Sequence, residues 1–131
     1  MLHYQERRAV LHASTLVRNP GPRFSVHGDG GSFTKYGLDG QEDALKAGKR
    51  PGAADWGRDQ SEYFGTLVTA DGSRHTIETL PGTYQEFYEA IASTIRDGAP
   101  VPVKASDARD TLMILEAALR SAAERRTVAV L

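Results

Sequence analysis

Cysteine is absent from all 131 residues. Its absence excludes disulfide frameworks, cysteine-ligated zinc and iron–sulfur sites, and cysteine nucleophiles. Long apolar runs are also missing: none approaches the ~18 residues that a membrane-spanning helix needs. The first residues, Met1 to Arg8, contain no apolar signal core. Neither sign of charge is in excess. Sixteen Lys and Arg against seventeen Asp and Glu leave a formal net charge of −1, which creates no global field toward nucleic acid or an anionic membrane. The length suits one domain, and a chain of this size needs no metal or disulfide staple. These properties together predict a soluble, cytoplasmic domain.

What is present is a strand-rich first half and a helical second half. Arg8 to Val17 predicts a first strand, with apolar residues on both faces. Asn19-Pro20-Gly21-Pro22 breaks it. Arg23 to His27 and Ser32 to Tyr36 predict a hairpin around Gly28-Asp29-Gly30-Gly31, with Phe24 and Val26 on one side. Gln41 to Ala47 predicts two helical turns, with Asp39 as the N-cap. Lys49 to Gly57 is a loop anchored by Trp56. Tyr63 to Thr69 and Arg74 to Leu80 form a second hairpin whose Asp71-Gly72 supplies the positive φ a tight turn requires.

Two helices follow. Thr83 and Glu86 have the spacing of a capping box, and Tyr84, Phe87, Tyr88, Ile91 and Ile95 form one apolar stripe that ends at Gly98. Ser106 is the expected cap of the last helix, whose predicted inner face is Ala108, Leu112, Leu115, Ala118, Leu119 and Ala122. Thr127 to Leu131 is long enough for a closing strand. Hairpins first and helices late indicate an α+β fold: an open, mostly antiparallel sheet of about six strands with two main helices on one face. The other sheet face, mixing Ser, Thr, His and Tyr with apolar residues, is a candidate contact face for another chain.

Few residues form a chemical constellation. The third glycine of a dinucleotide loop is replaced by Phe33, and the residues after the Gly28–Gly31 turn are β-patterned, so this segment reads as a turn. His3, His12, His27 and His75 show no metal-ligand spacing; His12 and His27 are candidates to meet across neighbouring strands. No metal site and no catalytic pair emerges. Lys46, Lys49, Arg50 and Arg58 surround Trp56, which leaves open a standalone module binding a small anionic ligand or a protein. Asp55 and Asp59 offset that charge.

A sharper reading comes from Arg23-Phe24-Ser25-Val26-His27-Gly28-Asp29-Gly30-Gly31-Ser32-Phe33-Thr34-Lys35-Tyr36-Gly37-Leu38-Asp39, continued by Gln41-Glu42, Leu45-Lys46-Ala47-Gly48, Pro51 and Trp56-Gly57. Leu80-Pro81-Gly82, Tyr84, Phe87-Tyr88, the run Gly98 to Val103, and Glu116-Ala117-Ala118 follow in order. This succession resembles the C-terminal domain of the Gfo/Idh/MocA oxidoreductases, and within them the bacterial dehydrogenases of inositol-like polyols.

The resemblance assigns residues 1–131 to that domain and implies a parent enzyme whose N-terminal Rossmann domain, absent here, binds NAD or NADP. It implies that the open sheet face makes a homo-oligomer contact and that the domain helps shape a sugar or polyol site. The family's catalytic lysine lies in a Glu-Lys-Pro motif that this sequence lacks, and the role of its catalytic histidine passes to none of the four histidines here. Catalytic and cofactor-binding residues are therefore expected to be none in this chain, which is expected to be inactive alone. Lys35, Tyr36, Trp56 and Arg58, polar or aromatic groups in loops and at strand ends, are the candidate substrate contacts.

Overall fold

The computed structural model describes residues 1–130. Its order is β1 (Leu2–His3), β2 (Arg8–Ala9), β3 (Phe24–Gly28), β4 (Gly31–Lys35), α1 (Gln41–Lys46), a 3-10 turn (Ser61–Tyr63), β5 (Gly65–Thr69), β6 (Arg74–Ile77), α2 (Tyr84–Asp97) and α3 (Ala105–Glu124). The fold is α+β. Its strands form an antiparallel four-stranded sheet in the order β3-β4-β5-β6 and a separate ladder of β1 with β2. The chain divides into two compact units, one of residues 1–43 and 57–81, the other of 44–56 and the chain from Gly82 on.

In the first unit, register sorts the side chains. Val26 pairs with Phe33, Phe33 with Leu67, and Leu67 with His75, so these share one face. Phe24, Lys35 and Ile77 lie on that face two residues along. The opposite face carries the row Ser25-Thr34-Thr66-Thr76 and the row His27-Ser32-Val68-Arg74. The expected mixture is thus resolved: apolar residues gather on one face, and the other is largely hydroxylic with Val68 as its apolar member.

Two glycines make this ladder possible. At Gly31, φ is +154° and a Cβ would stand 2.3 Å from the Val68 carbonyl oxygen. At Gly65 a Cβ would meet the Phe33 ring at 2.2 Å, because that ring lies over the glycine. Asp29 and Gly30 alone close the β3–β4 hairpin, so the Gly28–Gly31 segment is a turn between strands. The β5–β6 turn is held by Asp71, whose carboxylate accepts bonds from the Thr69 hydroxyl (2.6 Å), the Ser73 N–H (3.0 Å) and the Ser73 hydroxyl (2.9 Å).

Several predicted elements form differently. Of the strand predicted over Arg8–Val17, only Arg8–Ala9 pairs; residues 10–23 are exposed and have no ladder. A segment apolar on both faces has no preferred side, and no neighbouring strand is available to select one. The six strands are therefore divided four and two instead of forming one sheet. His12 lies in the unpaired segment, so it does not meet His27, whose strand pairs only with β4. Thr127 to Val130 make no ladder either, and Leu131 lies outside the described residues.

In the second unit, α2 ends as its sequence dictates, with Gly98 left-handed at φ 68°. Its start differs: Thr83 makes no side-chain cap, and the Glu86 N–H bonds the Thr83 carbonyl instead. The last helix begins one residue before Ser106, whose hydroxyl turns to Asp107 inside the first turn.

The apolar stripes of both helices are largely exposed. Leu112, Leu115 and Leu119 are 59%, 56% and 73% exposed, while Ala117 is buried and Met113 and Ile114 are half-buried. The tail after α3 explains the rotation. Arg120 Nη2 donates to the Ala129 carbonyl, and Val130 lines a cleft with Met113 and Ile114, so the tail covers a different side of the helix from the predicted one. On α2, Tyr84, Phe87, Tyr88 and Ile95 are likewise exposed.

Asp71 is pulled from its ordinary value of 3.8 to about 2, by the Thr69 hydroxyl first and by Ser73 next. A folded value below the unfolded one means that this group's contribution is complete above its ordinary range and fades as pH falls through about 2. An NMR titration is expected to place the Asp71 midpoint near 2, and Thr69→Val to move it back toward 3.8. Gly65→Ala is expected to cost about 1–3 kcal/mol in urea unfolding, since the Phe33 ring must leave its place.

Candidate functional site

The densest polar arrangement of the first unit forms where β4 ends. Lys35 shares the parity of Phe33 and therefore emerges on the apolar face, where an ammonium group needs partners. It finds them in the segment between Trp56 and β5. Lys35 Nζ lies 2.5 Å from Asp59 Oδ2 and donates to the Tyr63 carbonyl at 2.8 Å, with the Tyr36 carbonyl at 3.4 Å. Both side chains are withdrawn from water: 12% of Lys35 and 1% of Asp59 remain exposed. The second carboxylate oxygen, Asp59 Oδ1, is buried with no hydrogen-bond partner.

Two residues further on, Gly37 adopts φ +69°, and a Cβ there would strike the Tyr63 ring at 2.7 Å. The ring therefore rests on the glycine. Residues 35 and 37 both hold the loop, and Tyr36 between them stands 52% exposed. Arg58, adjacent to Asp59, keeps 59% of its side chain exposed, with Nη1 4.0 Å from Glu78 Oε1. At the start of α1, Asp39 accepts the Gln41 N–H (3.1 Å) and bonds from its side-chain amide, so the predicted cap forms and Gln41 is buried.

The structure thus places three of the four predicted contact residues, Lys35, Tyr36 and Arg58, at one junction of strand and loop. The three donors of Lys35 are engaged by the chain's own acceptors. Trp56 belongs to the other unit, is 9% exposed, and closes a turn through its N–H to the Ala53 carbonyl (3.0 Å). Of the basic residues around it, Lys46, Lys49 and Arg50 are exposed in that same unit, while Arg58 lies in the first. Asp59 and Tyr63 were not singled out by the sequence. A signal existed: a lysine in phase with Phe33 on an apolar face demands a carboxylate. Spacing does not reveal which acid supplies it.

His27 is hydrogen-bonded within the sheet, Nε2 with the Ser25 hydroxyl and Nδ1 with the Ser32 hydroxyl, both at 2.9 Å. Among the described residues, no group of three or more His, Asp or Glu side chains is arranged to hold a metal ion. A dinucleotide pyrophosphate is not suited either. The Gly28–Gly31 turn leads into a strand, and the N-terminus of α1 already receives the Asp39 carboxylate. Among the described residues, no helix is long and apolar enough to cross a membrane.

The family model described as the C-terminal alpha/beta domain of the GFO/IDH/MocA oxidoreductases matches residues 1–130. The chain belongs to this family. It is 44% identical over 130 residues to the scyllo-inositol 2-dehydrogenase (NADP(+)) IolW of Bacillus subtilis, matching 97% of this chain and 36% of that protein. It is 38% identical to the uncharacterized oxidoreductase YdgJ of Escherichia coli, over 98% of this chain and 37% of that one. Among solved structures, yvaA from Bacillus subtilis superposes with a TM-score of 0.80 at 44% identity, covering 85% of this chain and 33% of that chain. An oxidoreductase from Bacillus cereus gives a TM-score of 0.65, also at 44% identity, over 77% of this chain and 31% of the other. The domain therefore spans little more than a third of the curated relatives it matches.

The two cap and surface interactions near the site differ in strength. Asp39→Ala is expected to lower stability by about 1 kcal/mol, the usual cost of a lost helix cap. Glu78→Gln, which removes an exposed pair, is expected to change it by less than about 0.5 kcal/mol. Denaturant unfolding of both variants checks the contrast.

Proposed function

We propose that this chain is the substrate-side and oligomerisation domain of an NAD(P)-dependent polyol or sugar dehydrogenase. The observation that carries the reading is the pairing of near-complete coverage of this chain with coverage of 36% of a scyllo-inositol 2-dehydrogenase (NADP(+)). On this reading the coenzyme belongs to a Rossmann domain outside these residues, which supplies the hydride acceptor, and the present domain is inactive without it. Tyr36 and Arg58 contact the hydroxyl-rich substrate: a phenol and a guanidinium offer hydrogen bonds to a neutral polyol and need no charge on it.

The surface supports the need for further protein. Every residue of β3 and of β6 is exposed, and so are the leucines of the α3 stripe. Exposed apolar surface on this scale marks faces that other protein covers. We assign the sheet to contact with a second copy and the helical stripes to the parent's other domain.

A chimera tests the reading. Residues 1–131 would replace the matching third of the Bacillus subtilis dehydrogenase. The chimera is expected to reduce NADP+ with scyllo-inositol, and the isolated chain to show no turnover. Tyr36→Phe and Arg58→Ala in the chimera are expected to raise KM for the polyol more than they lower kcat. Turnover of a nicotinamide cofactor by the isolated chain, or a chimera that folds and has no activity, overturns the reading. A strict monomer in sedimentation at high concentration overturns its oligomerisation half.

A further inference from the structure

We propose that Lys35 and Asp59 form a latch that positions the substrate contacts, and that Lys35 is a positioning residue which does not itself touch substrate. The inference deepens the substrate-side reading and rests on it for the role of Tyr36 and Arg58; the latch itself rests on geometry alone. Lys35 Nζ has three acceptors within the chain: Asp59 Oδ2, the Tyr63 carbonyl and the Tyr36 carbonyl. No donor direction remains for an incoming hydroxyl, because an ammonium group carries three hydrogens. The side chain is also 88% withdrawn from solvent on the figure of 12% exposure.

What the pair holds is specific. Asp59 and Tyr63 lie 24 and 28 residues beyond Lys35, in the loop that leads from Trp56 into β5. The Tyr63 ring is seated on Gly37, so the strand end grips the loop on both sides of Tyr36. Within the loop itself, two backbone bonds are short-range, Tyr63 N–H to the Gln60 carbonyl and Phe64 N–H to the Ser61 carbonyl. They shape the loop without tying it to β4. Lys35 and Gly37 are thus two points at which the strand that bears Tyr36 holds Arg58's segment.

The charge balance makes the latch decisive. Asp59 already buries one oxygen without a partner. Removing the ammonium leaves a wholly uncompensated carboxylate in an environment 1% exposed, which a folded chain does not tolerate. The least costly relief is to swing the loop outward and hydrate Asp59. The ladder bonds of β4, β5 and β6 do not depend on the pair, so opening is local and frees the segment that carries Arg58 from the end of β4.

Native-state hydrogen exchange on the full chain tests this, with Lys35→Met, the near-isosteric Asp59→Asn, and Lys35→Arg, which keeps a cation for Asp59. Lys35→Met and Asp59→Asn are expected to lower protection of the amides of residues 58–64 by about tenfold or more relative to the Leu67–His75 region, and Lys35→Arg to restore most of it. Unchanged protection in both disruptive variants overturns the latch. So does a uniform loss that includes the β5–β6 amides, which would make the pair a general stabiliser. If Lys35→Met does not fold, Asp59→Asn alone decides. The same substitutions in the dehydrogenase chimera separate the latch from the reading beneath it. Loss of loop protection with a several-fold rise in polyol KM supports both, whereas loss of protection with unchanged KM keeps the latch and overturns the assignment of Tyr36 and Arg58.

Discussion

The pairing of β4 with both of its neighbours is the constraint on which the first unit depends. Because side chains alternate, the register Val26–Phe33–Leu67–His75 decides at once which residues gather on the apolar face and which make the hydroxylic one. It also decides that Lys35 emerges among apolar neighbours and needs an anion. Gly31 and Gly65 guard this register: one admits the close approach of the Val68 carbonyl, the other accepts the Phe33 ring. A slip of one residue would exchange the faces and send Lys35 to the other side, and the junction with Asp59 would not exist.

The domain also displays an imbalance. Among the described residues, Trp56 and Ala117 are the buried hydrophobic ones, whereas Leu16, Leu80, Ile95 and Leu119 are at least 73% exposed. A chain of this length has enough apolar residues for a normal core, since 40% of its residues are hydrophobic. Their exposure is therefore not a consequence of the composition. The curated relatives that the chain matches are almost three times as long as it is. Amphipathic helices state that they will be covered; they do not state by what.

The site illustrates how a single buried charge organises neutral surroundings. Lys35 draws in Asp59 and the Tyr63 carbonyl, the Tyr63 ring settles on Gly37, and the exposed residues Tyr36 and Arg58 stand next in the chain to the two partners of the ion pair. Lys35, Tyr36 and Arg58, three of the four residues suggested by the sequence, lie at or beside this ion pair. The sequence pointed to them as polar groups at strand ends and loops, which is a general property of binding loops. It named Asp59 only as one of two acids offsetting the basic loop because, among Asp55, Asp59 and Glu62, nothing in spacing distinguishes the acid that is buried from those left in solvent. It was wrong about the inner face of α3 for a related reason: both sides of that helix carry alanine and aliphatic residues, and the folded-back tail, held by Arg120, chose between them.

By itself the sequence determined the local events. The Asp71-Gly72 and Gly28–Gly31 turns, the Asp39 cap, the Gly98 stop and the hairpin strands follow from φ preferences, missing donors and side-chain alternation, each acting over a few residues. It also determined the α+β class and, through an ordered series of short matches, the family. The tertiary structure decided everything that needs a partner distant in the chain: that Arg8–Val17 pairs over two residues only, that α3 turns another side inward, and that Lys35 is spent on Asp59. Such choices are settled by which groups meet in three dimensions, where a strand without a neighbour or a buried charge without a counter-ion costs more than any local preference can return.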